Sequence, residues 1–341
     1  MDGLTPKEWE TRAKEATGKN KKLIIPVTAE LFLEEKLNWL TIGKDFVKQN
    51  PLYYDKAGLW WSWNWSKDNY QQIDETDLLI MIDRATKKYN LKAGVKAEIL
   101  EGLRRAAREN NPIEPPPELI QFGENIYNYK TKEITKAKPE YFFTNSIPWD
   151  IGETEETPNI DRIFSEWVGE NKEQLYEIIS YCTIRDYPLQ RLFVLIGSGA
   201  NGKSTFLQIL RKFVGEDNVA SANLDQLADN PFQISKLYKK LLCVMGETNF
   251  ERMKNTNTLK ALTGKDLVSI EYKNKGAFDA VNYAKIVIAT NSLPETHDKT
   301  DGFYRRWVII DFKNRFSEKR DILSEIPDEE YKALLERAFA F

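Results

Sequence analysis

The sequence predicts an α/β fold: a core with a central, mainly parallel sheet built on a phosphate-binding loop, preceded by a mixed α+β N-terminal domain. Three observations carry this. "GSGANGKS" (197–204) stands between an apolar run and a helical pattern. Short, nearly all-apolar runs, "LFVLI", "LLCVM", "KIVIAT" and "RWVIIDF", recur from residue 192 onward between helical segments. Such runs suit strands covered on both faces, which parallel sheets require. Before Arg191 such runs are missing, and charged helices alternate with aromatic hairpins.

The elements follow in order. Residues 1–22 form a charged segment. In "PLYYDKAGLWWSWNW" (51–65) the "DKAG" tetrad is a turn between two aromatic strands. Trp61, Trp63 and Trp65 alternate onto one face. Aromatics so placed build a small core, although bases also stack on such rings. Helices are expected over about 75–89 and 94–110, the first opening at "DETD". "NNPIEPPP" breaks the chain, and a hairpin region turning near "KTKE" follows. Two helices then span about 160–168 and 171–186. The helix after the loop carries Phe206, Leu210 and Phe213 at helical spacing and stops at Gly215. The expected domains are a charged segment (1–22), an α+β domain (23–155), a domain built on the glycine-rich loop (156–318) and a C-terminal helical segment (319–341).

Composition narrows the function. The chain has 341 residues, 41% hydrophobic and 30% charged, with a net charge of −3. A protein that coats duplex DNA is basic overall, so nucleic-acid contact here must be local. Two distant cysteines, Cys182 and Cys243, and the single His297 fit neither a disulfide framework nor a Cys/His metal site. The N-terminus lacks the apolar run of a signal peptide, and no stretch approaches the ~20 apolar residues of a membrane span. An intracellular, cytoplasmic protein is expected.

"GSGANGKS" fits G-x-x-x-x-G-K-[ST] in full. Its glycines, Gly197, Gly199 and Gly202, let the backbone turn tightly, so that N–H groups of the loop, with Ser198, Ala200, Asn201 and Thr205, surround the phosphates of a nucleotide. Lys203 reaches the β- and γ-phosphates, and Ser204 ligates Mg²⁺. "KKLLCVMGETN" ends a second strand on Glu247, an acid suited to Mg²⁺ or to the attacking water, or else an ordinary loop carboxylate. "KIVIATN" ends a third on Asn291, an amide placed to orient water. "DGFYRRW" sets Arg305 and Arg306 before a fourth, where one of them suits an arginine finger and the plain alternative is a solvated strand end. Lys203, Glu247, Asn291 and Arg306 fall within about 110 residues, too few for tandem ATPase cores. The GTPase signature N-K-x-D follows no strand. A small-molecule kinase remains as an alternative.

The ordered set "GSGANGKST", "MGETN", "LKALTGKDLVSIEYKNKGAF", "IATNSLPE" and "DGFYRRW", with "FGENIYNYKTKEITKAKPEYFFTNSIPWD" upstream, resembles the superfamily 3 helicases, a branch of the AAA+ ATPases. More closely it resembles the primase–helicase proteins of phages, plasmids and poxviruses. The resemblance covers most of the chain. It implies an ATP-dependent DNA helicase working as a homo-hexameric ring on single-stranded DNA. It makes Lys203 and Ser204 the ATP–Mg²⁺ ligands, Glu247 the catalytic acid and metal ligand, and Asn291 a sensor. Lys260 and "TGKD" (263–266) form the branch's extra motif. A hairpin carries Lys273, Asn274 and Lys275 to DNA, and Arg306 is the first choice of finger, Arg305 the second. Many members have two adjacent acids where this chain has Gly246 and Glu247, so one carboxylate serves here. A different class of reading is a DNA-assembly factor that ATP closes without unwinding. No primase domain is expected within these residues; a primase would be a further part of a longer protein or a separate partner.

Overall fold

The structure, a computed structural model, describes residues 39–86, 93–246, 256–273, 275–293, 298–317 and 320–339. Its contacts divide it into two units, residues 1–114 with 138–144 and residues 115–137 with 145–341. The charged segment expected over 1–22 lies outside the described residues.

In the first unit, helix α1 (Trp39–Gln49) precedes an antiparallel meander of β1 (Leu52–Tyr54), β2 (Trp60–Asn64) and β3 (Asn69–Ile73), then α2 (Glu75–Thr86) and α3 (Ala93–Glu109). The expected turn forms at "DKAG". Gly58 takes the left-handed conformation (φ +72°) there, and the Asp55 carboxylate accepts from Leu59 N (2.9 Å) and Trp61 Nε1 (2.8 Å). Helices α1 and α3 cross where Gly43 meets Gly102. A Cβ on Gly43 would stand 2.9 Å from the Gly102 carbonyl oxygen, so only glycine permits this approach.

The sheet is covered on both faces. Trp61 and Trp63 are buried on one side, where Trp61 and Tyr70 meet Phe142. Trp60 is buried on the other, against Phe46, Leu78, Ile82 and Leu103. The expected single aromatic face is therefore corrected: Trp65 lies past the strand end and is exposed. Burial of both faces near Trp60 hides the two-residue alternation.

The second unit opens with β4 (Leu119–Phe122), β5 (Asn125–Asn128), β6 (Ile134–Lys136) and β7 (Ser146–Ile147), in the order β6-β5-β4-β7. There are two turns here where one was expected. Gly123 (φ +51°) makes the first, and Lys132 (φ +63°) makes the second within "KTKE". Ile120, Phe122, Tyr127 and Ile147 enter the same core as Ile160, Phe164 and Phe206. Asn145 adds a buried link, donating to Asn218 Oδ1 (3.0 Å) and Lys239 O (2.9 Å) and accepting from Tyr283 (2.9 Å). Residues 115–137 and 145–155, expected in the N-terminal domain, therefore cluster with the second unit.

Helices α4 (Pro158–Val168) and α5 (Lys172–Thr183) follow. The central sheet holds β8 (Leu192–Ile196), β9 (Val219–Ser221), β10 (Leu242–Met245), β13 (Lys285–Thr290) and β14 (Trp307–Asp311). Its order is β14-β8-β13-β10-β9, and every neighbouring pair is parallel. The four apolar runs are four of these strands. The fifth, β9, is a three-residue edge strand with no sequence signal. Helix α6 (Lys203–Val214) follows β8 and ends at Gly215 (φ +86°). Short helices α7 (Leu224–Asp229) and α8 (Pro231–Ile234) lead to β10. Helix α9 (Asn257–Gly264) leads into the hairpin β11 (Leu267–Ile270)–β12 (Phe278–Val281). The four-residue α10 (Asp301–Tyr304) precedes β14. The last helix, α11 (Asp328–Ala338), buries Tyr331, Leu334 and Leu335. Its Glu330 carboxylate accepts from Asn159 N (3.1 Å) and Ile160 N (2.9 Å), satisfying orphan donors in the first turn of α4. Cys182 and Cys243 are both free thiols in the core.

Candidate nucleotide site and its arginine edge

In a parallel sheet every strand delivers its following loop to the same edge, where ligands bind. Here β8 opens into the loop 197–202, β10 ends at Met245 and β13 ends at Thr290. Because β13 lies beside β8, with Thr290 level with Ile196, Asn291 is brought next to the loop. Glu247, the expected acid, lies outside the described residues, as do Asn274 and His297.

Backbone requirements shape the loop. Gly199 (φ +102°) and Gly202 (φ +93°) are left-handed, and Ala200 (φ +52°) is held there with its carbonyl accepting from Phe316 N (2.9 Å). A Cβ on Gly202 would stand 2.5 Å from the buried Trp167 ring, and one on Gly197 would stand 2.7 Å from Phe312 O. A Cβ on Gly199 would meet nothing within 4 Å. The loop is thus packed from behind and open in front. Asn201, buried, donates to Asn314 O (2.9 Å) and fixes the crest.

Lys203 Nζ donates to Gly197 O (2.8 Å), Asn201 Oδ1 (3.3 Å) and Asn291 Oδ1 (3.3 Å). The loop lysine and the expected sensor therefore touch. Ser204 is exposed in the first turn of α6. Residues 199–205 and 289–291 enclose a cavity of about 180 Å³. The loop's backbone N–H groups, the helix N-terminus and the ammonium form an anion site. These residues fit a nucleotide's phosphates. Mg²⁺ characteristically binds through one or two protein groups plus phosphate oxygens and water, and Ser204 fits that pattern. Among the described residues no cluster of three or more His, Cys, Asp or Glu forms a metal cage.

The arginines stand at the opposite edge. Trp307 pairs with Leu192, whereas Asp311 pairs with Ile196. Arg306, one residue before Trp307, is therefore five strand steps, about 17 Å, from the end of β8 along the sheet. The two arginines differ. Arg306 is buried; its Nε donates to Thr263 Oγ1 (3.0 Å) and Nη1 donates to Gly302 O. Burial, then the like charge of Arg305, push its guanidinium below the usual range, with Asp266 opposing. Arg305 is exposed, with one long contact to Gln190 Oε1 (3.5 Å). Which of two adjacent arginines is buried depends on Thr263, a partner remote in sequence.

"TGKD" is thus where Arg306 is anchored. Lys260, on α9, pairs with Asp298 (2.5 Å), which also accepts from Thr256 and Thr300. Those hydrogen bonds, Lys260's first, hold the Asp298 carboxyl well below the usual carboxylate range. This network was not anticipated; the only signal was an acid shortly after the third strand. On the hairpin, Lys273 and Lys275 are exposed at the tip between β11 and β12. Among the described residues no helix is long and apolar enough to cross a membrane.

The family "D5 N terminal like" matches residues 32–170, and a "Family of unknown function (DUF5906)" matches residues 195–306. "Primase D5" of Fowlpox virus (strain NVSL) is 26% identical over 226 residues, covering 59% of this chain and 28% of that protein. "Putative helicase 184R" of Invertebrate iridescent virus 6 is 23% identical over 237 residues, covering 63% of this chain and 24% of that protein. The chain thus spans about a quarter of the length of these relatives. The solved "NrS-1 C terminal region" superposes with a TM-score of 0.55 at 17% identity, over 90% of this chain and 68% of that one, a likeness of fold.

Proposed function

The chain belongs to the phage and virus primase–helicase family, and from that premise we propose that it is the ATP-hydrolysing motor of a superfamily 3 (AAA+) DNA helicase. The motor is a homo-hexameric ring on single-stranded DNA. Each ATP lies between two subunits. Lys203 and the loop N–H groups bind its phosphates, Ser204 and Glu247 hold Mg²⁺, and Asn291 orients the attacking water. Mg²⁺, when bound, offsets charge on the phosphate oxygens. The neighbouring subunit supplies an arginine, worth about 10³–10⁵ in rate.

The observation that carries this reading is the split geometry: the loop and Asn291 at one sheet edge, the arginines a strand's length away at the other. One chain therefore presents both halves of a shared site, facing apart. Exposure favours Arg305 as the finger, with Arg306 positioning it through Thr263 and Gly302. Exposed Leu189, Tyr304 and Leu267 near this edge suit a subunit contact. Lys273 and Lys275 grip the DNA backbone from the hairpin tip, and Asn274 adds a polar contact to it.

The test is ATPase rate and strand displacement, each with and without single-stranded DNA. The reading expects DNA to raise the rate and hydrolysis to separate strands. Replacing Lys273 and Lys275 with Gln should lower the slope of log affinity against log salt by about 1.4, two phosphate contacts' worth. Ring closure on DNA without strand displacement would favour the assembly-factor alternative. ATP hydrolysis indifferent to DNA would refute both.

A further inference from the structure

The first unit holds a groove that the ATPase does not use. Helix α2 lays Asp77, Ile80, Met81 and Arg84, spaced as one helical face, along the β2–β3 sheet. Its opposite face, with Leu78, Ile82 and Ala85, goes to the core. Between helix and sheet lies a cavity of about 160 Å³, ended by Trp63 and Trp65. A cavity of ~150 Å³ takes a benzene-sized ring.

Two features of the groove have no structural purpose in the fold. Trp65 and Ile80 line it and remain 41% and 42% exposed, although Trp60, Trp61 and Trp63 are nearly fully buried. Among the polar groups around it, Gln71 and Arg84 offer donors. Gln71 Oε1 already accepts from Asn64 Nδ2 (2.7 Å), and Asn64 Oδ1 accepts from Ser66 N (2.9 Å) and Oγ (2.7 Å). That leaves the Gln71 amide N–H groups to face a ligand. Arg84 is exposed on the wall, with no ion-pair or hydrogen-bond partner among the described residues. The one acid, Asp77, is turned to the helix start, where its Oδ2 accepts from Asp74 N (3.3 Å).

An aromatic face, N–H donors and an unpaired guanidinium complement a flat, acceptor-bearing, anionic ligand. A nucleobase with its phosphate has that chemistry: rings stack on tryptophan, carbonyl edges accept hydrogen bonds, and phosphate pairs with arginine. An extended peptide would instead need an open strand edge. We propose that this groove holds one base of single-stranded DNA, with the ring on Trp65 and the phosphate on Arg84. The proposal rests on DNA being the polymer this chain handles, and it adds a second contact to the hairpin's.

The test uses the full chain and fluorescein-labelled oligothymidylate, followed by anisotropy, with a 5-iodouracil version photo-crosslinked and mapped by peptide mass. Trp65→Ala should weaken binding about 5- to 150-fold, the range that stacking one base represents. Trp65→Phe should restore most of it, which separates a lost ring from a lost fold. Arg84→Gln should lower the salt slope by about 0.7. Cross-links should fall within 62–84 as well as at the hairpin. Unchanged binding in Trp65→Ala and Arg84→Gln, with cross-links at the hairpin alone, overturns the groove and leaves the helicase reading standing. Displacement by free dTMP as effective as by the oligonucleotide overturns the DNA assignment in favour of a mononucleotide. Absence of DNA binding in the wild type overturns both readings.

Discussion

Lys285 offers a quantitative test of how the core was built. It starts β13, is fully buried, and donates through Nζ to the carbonyls of Ile184 and Tyr283 (2.9 Å for the latter). The rings of Tyr181 and Tyr187 stand 5.0 and 5.3 Å from the ammonium. Burial pushes its pKa down from 10.5 to about 7. The sign follows from linkage. Below about pH 7 both folded and unfolded chains hold the proton, and the folded state carries the full cost of a buried charge. Between about 7 and 10.5 the unfolded chain binds more protons, so stability rises with pH, by at most ~1.4 kcal/mol per pH unit. Above pH 9 the opposite trend enters, because burial pushes the thiols of Cys182 and Cys243 up to about 12. The clean window is therefore pH 7 to 9, with an upper limit of ~2.7 kcal/mol. The two carbonyls and two ring faces favour the ammonium and reduce this to about 1–2 kcal/mol. Lys285→Met keeps the volume and removes the charge. Urea melts of both proteins at pH 7, 8 and 9 should show wild-type stability climbing relative to the variant by that amount. A constant difference across the window would refute the buried-charge account.

Two further substitutions probe the site's scaffolding. Gly202→Ala should abolish ATP binding in a fluorescent-nucleotide titration, because it adds a left-handed alanine, costing ~1–2 kcal/mol, to a 2.5 Å overlap with Trp167. Gly199→Ala, which meets open space, should retain measurable binding. Thr263→Val removes the acceptor for Arg306 Nε in a fully buried position and should cost about 1.5–3 kcal/mol in denaturant melts, with a fall in ATPase rate. An unchanged melt would mean that Arg306 finds another acceptor.

What the sequence made legible follows a physical division. The phosphate loop was readable because its glycines answer local demands: Gly202 needs both its φ and the absence of a Cβ beside Trp167. Four central strands were readable because burial on both faces makes them continuously apolar. Strand β9, with only Ala220 buried of its three residues, left no such trace. The placement of 115–137 depended on remote partners of Ile120, Phe122 and Tyr127 that no local pattern specifies. The same limit applies to Arg305 and Arg306: they are neighbours in sequence and opposite in environment, and Thr263 decides between them. The tryptophans divided likewise, with Trp61 and Trp63 in the core and Trp65 at a groove whose other wall is a helix.

The central claim is that two subunits share each ATP site, with Arg305 acting on the neighbour's nucleotide. Mixing Lys203→Ala with Arg305→Ala in varying ratios, and measuring ATPase rate with single-stranded DNA, tests it most directly. Each variant alone should be nearly inactive. Mixed rings would contain some interfaces joining an intact loop to an intact finger, so activity should reappear and peak near equal proportions. An Arg305→Ala protein that hydrolyses ATP at the wild-type rate, or two inactive variants that never complement despite forming mixed assemblies, would contradict it.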